Sequence, residues 1–460
     1  MSEKAKKIYR TFKSPPIIQV VSPLQRFIKQ ETTSSKILLV CILLGLIWAN
    51  IPYGDSYSTL WNIIISVKIG SLEISQPLIW WINDGLMTIF FFVIGLELKR
   101  EILIGGLNDK KAAAFAILTG LGGMIIPIFF FMSLNYPKSA GFGGWSIPIS
   151  TDIAIALGVL SLFSYNIPRK IKLMLTSMAI IDDVGSIIVI SIFYSHSINW
   201  LFFGLSILVL AILIVFNRVG IRNLLFYLLP GIVLWFFVLT SGIHATISGV
   251  LLAAVIPATK RIDLCDFYDI SKKSLADISE MELDTDEVSC YTRVISQVHA
   301  LEEGFQNIRA PLEIIEHKLI GWVAFLIIPL FALANAGINF FDLTTNPFTS
   351  RVFWGIILGL VLGKPIGVIS VTLISKKTKL FNMPATVNWF HIVGMAFLRG
   401  IGFTMSSFLA GLAFYSDFEL LSISKIAILL GSVISGIIGF VLLKFSIKKM
   451  KKESLETVEE

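Results

Sequence analysis

The chain has 460 residues, 55% of them hydrophobic and 15% charged, against about 25% charged in an ordinary soluble protein. This balance excludes a soluble enzyme and a disordered chain, and with 3 cysteines it excludes a disulfide-stapled secreted domain. The net charge of +7 would suit nucleic acid in a soluble protein, but beside apolar runs it acts as a topology signal, and no nucleic-acid partner is expected.

Residues 1–33 form a basic tail with Pro15, Pro16 and Pro23 and no apolar core before Ile37, so the tail is expected to be retained rather than cleaved as a signal. Twelve apolar runs follow, bounded by Gly, Pro, Asn or charge, and each predicts a membrane-spanning helix. They fall near 34–50, 77–98, 112–134, 146–163, 171–194, 199–216, 224–239, 242–256, 317–336, 352–374, 388–414 and 426–443. The seventh and eighth are separated only by Thr240 to Ile243. Spans one to eight thus occupy 34–257 and spans nine to twelve occupy 312–446, with a charged tail at 447–460.

Between spans one and two, residues 65–75 alternate and are broken at Gly70-Ser71, which predicts an external β-hairpin near 63–76. A lone hairpin is barely stable in water, so Val67 to Ile74 is expected to pair, with a second subunit as the candidate. The longest polar stretch, 258–311, carries more acid than base, and Val294, Ile295, Val298, Leu301, Phe305 and Ile308 fall at helical spacing. It is expected to be a solvated insertion ending in an amphipathic helix.

With twelve spans both termini share one side, and the connecting segments form two alternating sets. About 32 of the 38 basic residues fall in the set that includes both tails and the 258–311 insertion, so that side is assigned to the cytoplasm. The opposite set holds Lys68, Lys138, Arg351 and Lys425, and Lys364 and Arg399 lie within predicted spans. The chain is therefore expected to cross a membrane many times with both termini cytoplasmic.

Ionisable groups inside a span are costly and are functional candidates. Here they are Asp84, with Glu97 and Glu101 near a span end, Asp152, Asp182, Asp183, Lys364 and Arg399. Asp182 and Asp183 lie midway along an apolar helix, and adjacent helical residues point about 100° apart. One can therefore pair with a fixed cation while the other faces a pathway, and Lys364, the Lys deep in a span, is the expected partner. A static salt bridge that only fixes helix packing is the bland alternative, but one Lys cannot balance two carboxylates plus Asp152. Such a buried carboxylate can hold a proton or a small cation. Asp84 is read as a polar helix contact, and Arg399 as lying near a water-filled funnel.

Span four carries Pro148 before Ser150-Thr151-Asp152, and span eleven carries Arg399-Gly400-Ile401-Gly402-Phe403-Thr404-Met405-Ser406. Such runs predict discontinuous helices, which survive only where protein or water satisfies the freed backbone. They are the middle spans of two three-span groups entered from opposite sides, an arrangement that points to an ion site at the midplane of an inverted repeat. Asp152 and Lys364 could offset the facing half-helix ends; for Asp152 that role and direct ion binding both stand.

These blocks resemble the NhaA-type sodium/proton antiporters, a family built on inverted repeats. The resemblance rests on Trp81-Ile82-Asn83-Asp84, Gly95 to Glu101, Thr151 to Ala154, Ala179 to Asp183, Gly242 to Thr246, Ala334 to Gly337, Gly363-Lys364-Pro365 and Gly400 to Ser406. It covers the chain from about Phe27 through span twelve, excluding the long insertion. It implies a place in a bacterial inner membrane, Asp183 as the principal Na⁺ or Li⁺ ligand and proton carrier, Asp182 as a further ligand that also pairs with Lys364, and Thr151 and Asp152 completing the ion- and proton-binding site. Gly400, Gly402 and Thr404 then form the unwound helix. It also implies electrogenic exchange of two protons for one sodium ion without a cofactor, a homodimer formed through the hairpin, and pH sensing at Glu97, Glu101, Glu316 and His317, followed by Trp322. Ile320 stands where some members carry a second His, and Arg399 at a position that is small or neutral in the family. A Na⁺-coupled symporter or a cation channel would use the same carboxylate site. An intramembrane aspartyl protease does not fit, because adjacent aspartates diverge and no Gly-x-Gly-Asp is present.

Overall fold

The computed structural model describes residues 31–459 apart from 53, 71, 138, 164–166, 196, 261–262, 282–294, 300, 303, 305–307, 341–344 and 379–386. The expected basic tail up to residue 30, and Val294 and Phe305 of the expected amphipathic helix, lie outside the described residues. The described residues are helical apart from one hairpin and the connections.

The chain opens with α1 (Glu31–Asn50) and α2 (Asp55–Trp61), then β1 (Ile64–Ile69) and β2 (Leu72–Pro77). The strands pair antiparallel from Ile64↔Pro77 to Ile69↔Leu72, as the alternation predicts. The two-residue connection fits because Gly70 has φ +63°, the left-handed geometry that a tight hairpin turn demands. There follow α3 (Leu78–Leu103), α4 (Lys110–Leu134), a 3₁₀ segment (Ala140–Ile149), α5 (Ile153–Ser161), α6 (Arg169–Phe193) and α7 (Trp200–Val219). Next are α8 (Leu225–Thr240), α9 (Ile247–Val255), α10 (Leu264–Met281), α11 (Pro311–Ala336) and α12 (Arg351–Lys377). The chain ends with α13 (Trp389–Leu398), α14 (Phe403–Ala413) and α15 (Phe418–Glu459).

Among the described residues, eight helices are long and apolar enough to cross a membrane: α1, α3, α4, α6, α7, α11, α12 and α15. The 3₁₀ segment with α5, bent by 42°, and α13 with α14, bent by 41°, add up to two more if each pair is one broken span. The expected count of twelve is not reached, because α8 has 16 residues and α9 has 9, short of the ~20 that a span needs. The two are separated at Gly242, whose φ is +85° and where a Cβ would meet the Ser197 carbonyl oxygen at 2.5 Å. The chain turns there instead of continuing either helix.

Three helices loosen within their length: π segments run over Trp81–Leu86 in α3, Val323–Ile327 in α11 and Gly359–Gly363 in α12. Such insertions recur at functional sites, and here one carries Asp84 and another ends at Lys364. No apolar period announces them in the sequence.

The chain forms two compact units, one of Met1–Asn83, Ala114–Ser186 and Gly321–Glu460 and the other of Asp84–Ala113 and Ile187–Ile320. In the second, Phe92, Leu96, Leu213, Leu234, Leu252 and Ile315 belong to one buried cluster. Small residues bring α3 and α9 close: a Cβ on Gly95 would lie 2.7 Å from that of Ala253, the close approach expected of helices packed in lipid. Also in this unit, α10 was not anticipated; its partner stretch is helical at 295–299, and Gln297 Nε2 donates to Asp277 Oδ2 at 3.2 Å.

In the first unit, α2 is fastened to the end of α11. The Tyr57 hydroxyl lies 2.8 Å and 2.7 Å from the Leu333 and Ala334 carbonyl oxygens and accepts from Gly337 N–H at 2.9 Å. Burial pushes the Tyr57 phenol up to about 12, so it remains a donor to these helix-terminal carbonyls throughout the neutral range. Tyr57→Phe is expected to destabilise the protein by about 1–3 kcal/mol, the effect of leaving buried polar groups unpaired; the melting temperature of the purified protein checks it.

Candidate functional site

The two backbone breaks predicted at Ser150 to Asp152 and within Arg399 to Ser406 meet in the first unit, but the second is confined to Arg399–Gly402, because the backbone is helical again from Phe403 and Thr404 lies in α14 rather than in the unwound part. Asp152 N–H donates to the Ile401 carbonyl oxygen at 2.6 Å, and Gly402 N–H donates to Ser432 Oγ at 3.1 Å. Groups freed by the interruptions are thus taken up within protein, which is what an apolar surrounding requires. Glycine is needed at this approach: a Cβ on Gly402 would lie 2.6 Å from Ser406 Oγ and 3.0 Å from the Ser150 carbonyl oxygen. Gly400 is confined in the same way by Leu360 and Ser435.

Asp152 stands at the first turns of two half-helices. Its Oδ1 accepts from Ile155 N–H of α5 at 3.2 Å. Its Oδ2 accepts from Thr404 N–H at 3.2 Å and from the Thr404 hydroxyl at 2.7 Å, at the start of α14. A carboxylate in this position caps the chain ends and offsets two positive helix termini.

Asp182 is fully buried in α6, and both of its carboxylate oxygens are engaged. Lys364 Nζ, at the end of the π segment of α12, lies 3.2 Å from Oδ2. It also donates to Thr151 Oγ1 at 2.5 Å. The Thr151 hydroxyl lies 2.7 Å from Asp182 Oδ2 and 2.9 Å from the Arg399 carbonyl oxygen, so its one proton serves either acceptor. On the other side, Arg399 Nη2 donates to Asp182 Oδ1 at 2.5 Å. The expected partner, Lys364, is therefore present, but a second cation holds the same carboxylate.

Arg399 has a role that the sequence reading did not assign. Its side chain is fully buried, and Nη1 donates to the Thr119 carbonyl oxygen at 3.2 Å. Asp183, the next residue of α6, is 1% exposed. Its charge, with those of Asp182 and Arg399, acts on Lys364. Three carboxylates and two cations thus share one dry region, a density that membrane helices carry where ions or protons pass.

In the second unit, Glu97, Glu101 and Glu316 come together around a residue that the sequence reading left without a role, Arg100. Its Nε lies 3.2 Å from Glu316 Oε1 and its Nη2 lies 3.5 Å from Glu101 Oε1. Glu97 feels the charges of all three, and Glu316 also feels that of His317. Trp322 is 64% exposed and Ile320 48% exposed. Asp84, read as a helix contact, has His244 Nδ1 at 3.4 Å from its Oδ1. A helix-period reading could have found Arg100 one turn after Glu97 and next to Glu101; Arg399 gave no such signal, because its partner lies 217 residues away in sequence.

The sequence model of the family described as Na⁺/H⁺ antiporter 1 matches residues 25–443. Among curated proteins, the Na⁺/H⁺ antiporter NhaA of Helicobacter pylori is 41% identical over 431 residues, covering 90% of this chain and 94% of that protein. The NhaA antiporter of Koribacter versatilis is 38% identical over 435 residues, with 94% of each chain covered. That of Oleidesulfovibrio alaskensis is 38% identical over 439 residues, with 95% of this chain and 97% of its own covered. With the broken helices, the buried acid pair and a match running through nearly every helix, this chain belongs to the Na⁺/H⁺ antiporter 1 family.

Proposed function

We propose that the protein is an electrogenic Na⁺(Li⁺)/H⁺ antiporter of a bacterial inner membrane that exports one Na⁺ for about two protons. The observation that carries this reading is the acid pair of α6. Asp182 is held by Lys364, Thr151 and Arg399, while Asp183 is buried beside it. Asp183 is the principal cation ligand and proton carrier, and protons and Na⁺ compete for it. An occupied site permits the switch between inward-facing and outward-facing forms, so that neither ion leaks. Asp152 and Thr151 frame the site, Gly400 and Gly402 supply the unwound backbone that leads into α14 at Thr404, and no cofactor takes part. The protein is a secondary transporter, not an enzyme, in keeping with its relatives.

The same reading places both termini in the cytoplasm and counts α8 and α9 among twelve spans arranged as inverted repeats around the two broken helices. It assigns the hairpin from Val67 to Ile74, where Val67 is exposed, to a homodimer contact. The 258–311 insertion is cytoplasmic. The test is a Na⁺ pulse to everted vesicles carrying an acid interior, followed with a pH-sensitive dye. Na⁺-dependent loss of the proton gradient is expected, and dissipating the membrane potential should change its rate because each cycle moves charge. A gradient indifferent to Na⁺ contradicts antiport, and a rate indifferent to potential contradicts the two-for-one exchange.

Regulation by pH is assigned to Glu97, Glu101, Glu316 and His317 gathered about Arg100. Arg100→Ala should leave Glu316, 6% exposed, without its fixed cation. Antiport measured from pH 6 to 9 should then shift its profile by about one unit or more, the scale on which a close opposite charge acts. An unaltered profile would leave the cluster a structural one.

A further inference from the structure

Resting on the antiport reading, we infer that Arg399 is a second fixed counter-ion of the exchange site, a positioning residue that holds Asp182 Oδ1 in an ion pair and confines cation exchange to Asp183. The division of labour follows from which oxygen each cation holds. Lys364 and Thr151 take Asp182 Oδ2, whereas Arg399 alone among the described residues takes Oδ1. If Lys364 withdraws from Oδ2 during the transport cycle, Asp182 still has a full positive charge on Oδ1. With one counter-ion, the same movement would strand a carboxylate in a dry interior, which is prohibitive.

The fold makes room for this arginine. A Cβ on Gly123 of α4 would lie 2.9 Å from Nη2 and 3.3 Å from the guanidinium carbon, so any larger residue there competes with the side chain. The second nitrogen of the fork reaches the Thr119 carbonyl oxygen one turn earlier on the same helix. Arg399 also follows directly on α13, where the negative helix end favours a cation. A guanidinium suits a permanent partner because it keeps its charge at every working pH and its planar fork satisfies two acceptors at once.

Removing this charge has two consequences. Asp182 Oδ1 becomes available to the transported cation, and one repulsive charge leaves the neighbourhood of the site. Na⁺ should then bind more tightly and leave more slowly.

The test compares wild type with Arg399→Met, Lys364→Met, the double variant, and the double variant carrying Asp182→Asn, by melting temperature in detergent. Each single variant should lower the melting temperature by less than half of the fall in the double variant, and Asp182→Asn should restore much of that fall. In everted vesicles, Arg399→Met should lower the apparent KM for Na⁺ at least about threefold and lower Vmax as well, as tighter ground-state binding does. Arg399→Lys, which keeps the charge, should return KM towards wild type. The inference is overturned if the double variant falls by no more than the sum of the singles, if Asp182→Asn does not restore stability, or if Arg399→Met leaves KM unchanged or raised. A wild-type protein that moves no protons on Na⁺ addition would overturn the antiport reading instead, and the melting temperatures would still decide the role of Arg399.

Discussion

Asp183→Asn is expected to reduce Na⁺-dependent proton movement in everted vesicles by about 100-fold or more, equivalent to roughly 2.7 kcal/mol, while the protein stays folded. The amide has the size of the carboxylate, so packing around this 1% exposed residue is conserved. It has no proton to release and no charge to balance a dehydrated cation, and a cation in a low-dielectric site depends on that balance. The melting temperature should change little, because the fixed pairs on Asp182 remain. Retention of more than a tenth of wild-type transport by a folded variant would remove Asp183 from the centre of the mechanism.

The second large effect concerns Asp152, for which the sequence left two roles open. Asp152→Ala strips an acceptor from Ile155 N–H, Thr404 N–H and the Thr404 hydroxyl together. Each buried donor left unpaired costs about 1–3 kcal/mol, so a destabilisation of roughly 3–5 kcal/mol is expected, near the top of what single substitutions do. Asp152→Asn keeps one acceptor oxygen and should recover part of that loss. If Asp152 serves as a cap and charge offset, the Asn variant should keep its KM for Na⁺ within about twofold, as for a group that does not bind the ion directly. A normal melting temperature combined with a KM raised tenfold would make Asp152 a direct ligand.

Much of this arrangement can be read from residue types. Alternation around Gly70-Ser71 defines the hairpin because a strand period of two admits few registers. Gly400, Gly402 and Ser150 to Asp152 signal broken helices because such residues are poor company for a continuous apolar helix. Asp182 and Lys364 point to each other because each would otherwise be stranded in a span.

Other features depend on distant geometry. Arg399 finds Asp182 only because Gly123 leaves space on a third helix, a relation that no local pattern contains. Asp152 serves two half-helices, one of them 252 residues further along the chain. The three π segments depend on tertiary packing, and Ile247–Val255 is set off from α8 by a left-handed turn at Gly242 inside an apolar run that periodicity reads as a span. Helix α10 lay within an acid-rich stretch that composition assigns to solvent, although Phe267, Ile270, Ser274 and Leu275 share a helical face.

Competition between Na⁺ and H⁺ for the same buried carboxylate has a direct signature. The measurement is titration calorimetry of the purified protein with Na⁺ at a fixed mildly alkaline pH, repeated in buffers of different ionisation enthalpy. The slope of binding heat against buffer enthalpy counts the protons released. Wild type should release protons as Na⁺ binds, and Asp183→Asn should show neither the proton release nor the Na⁺ heat. Na⁺ binding to wild type with no buffer dependence, or unchanged release from the Asn variant, would contradict exchange at Asp183.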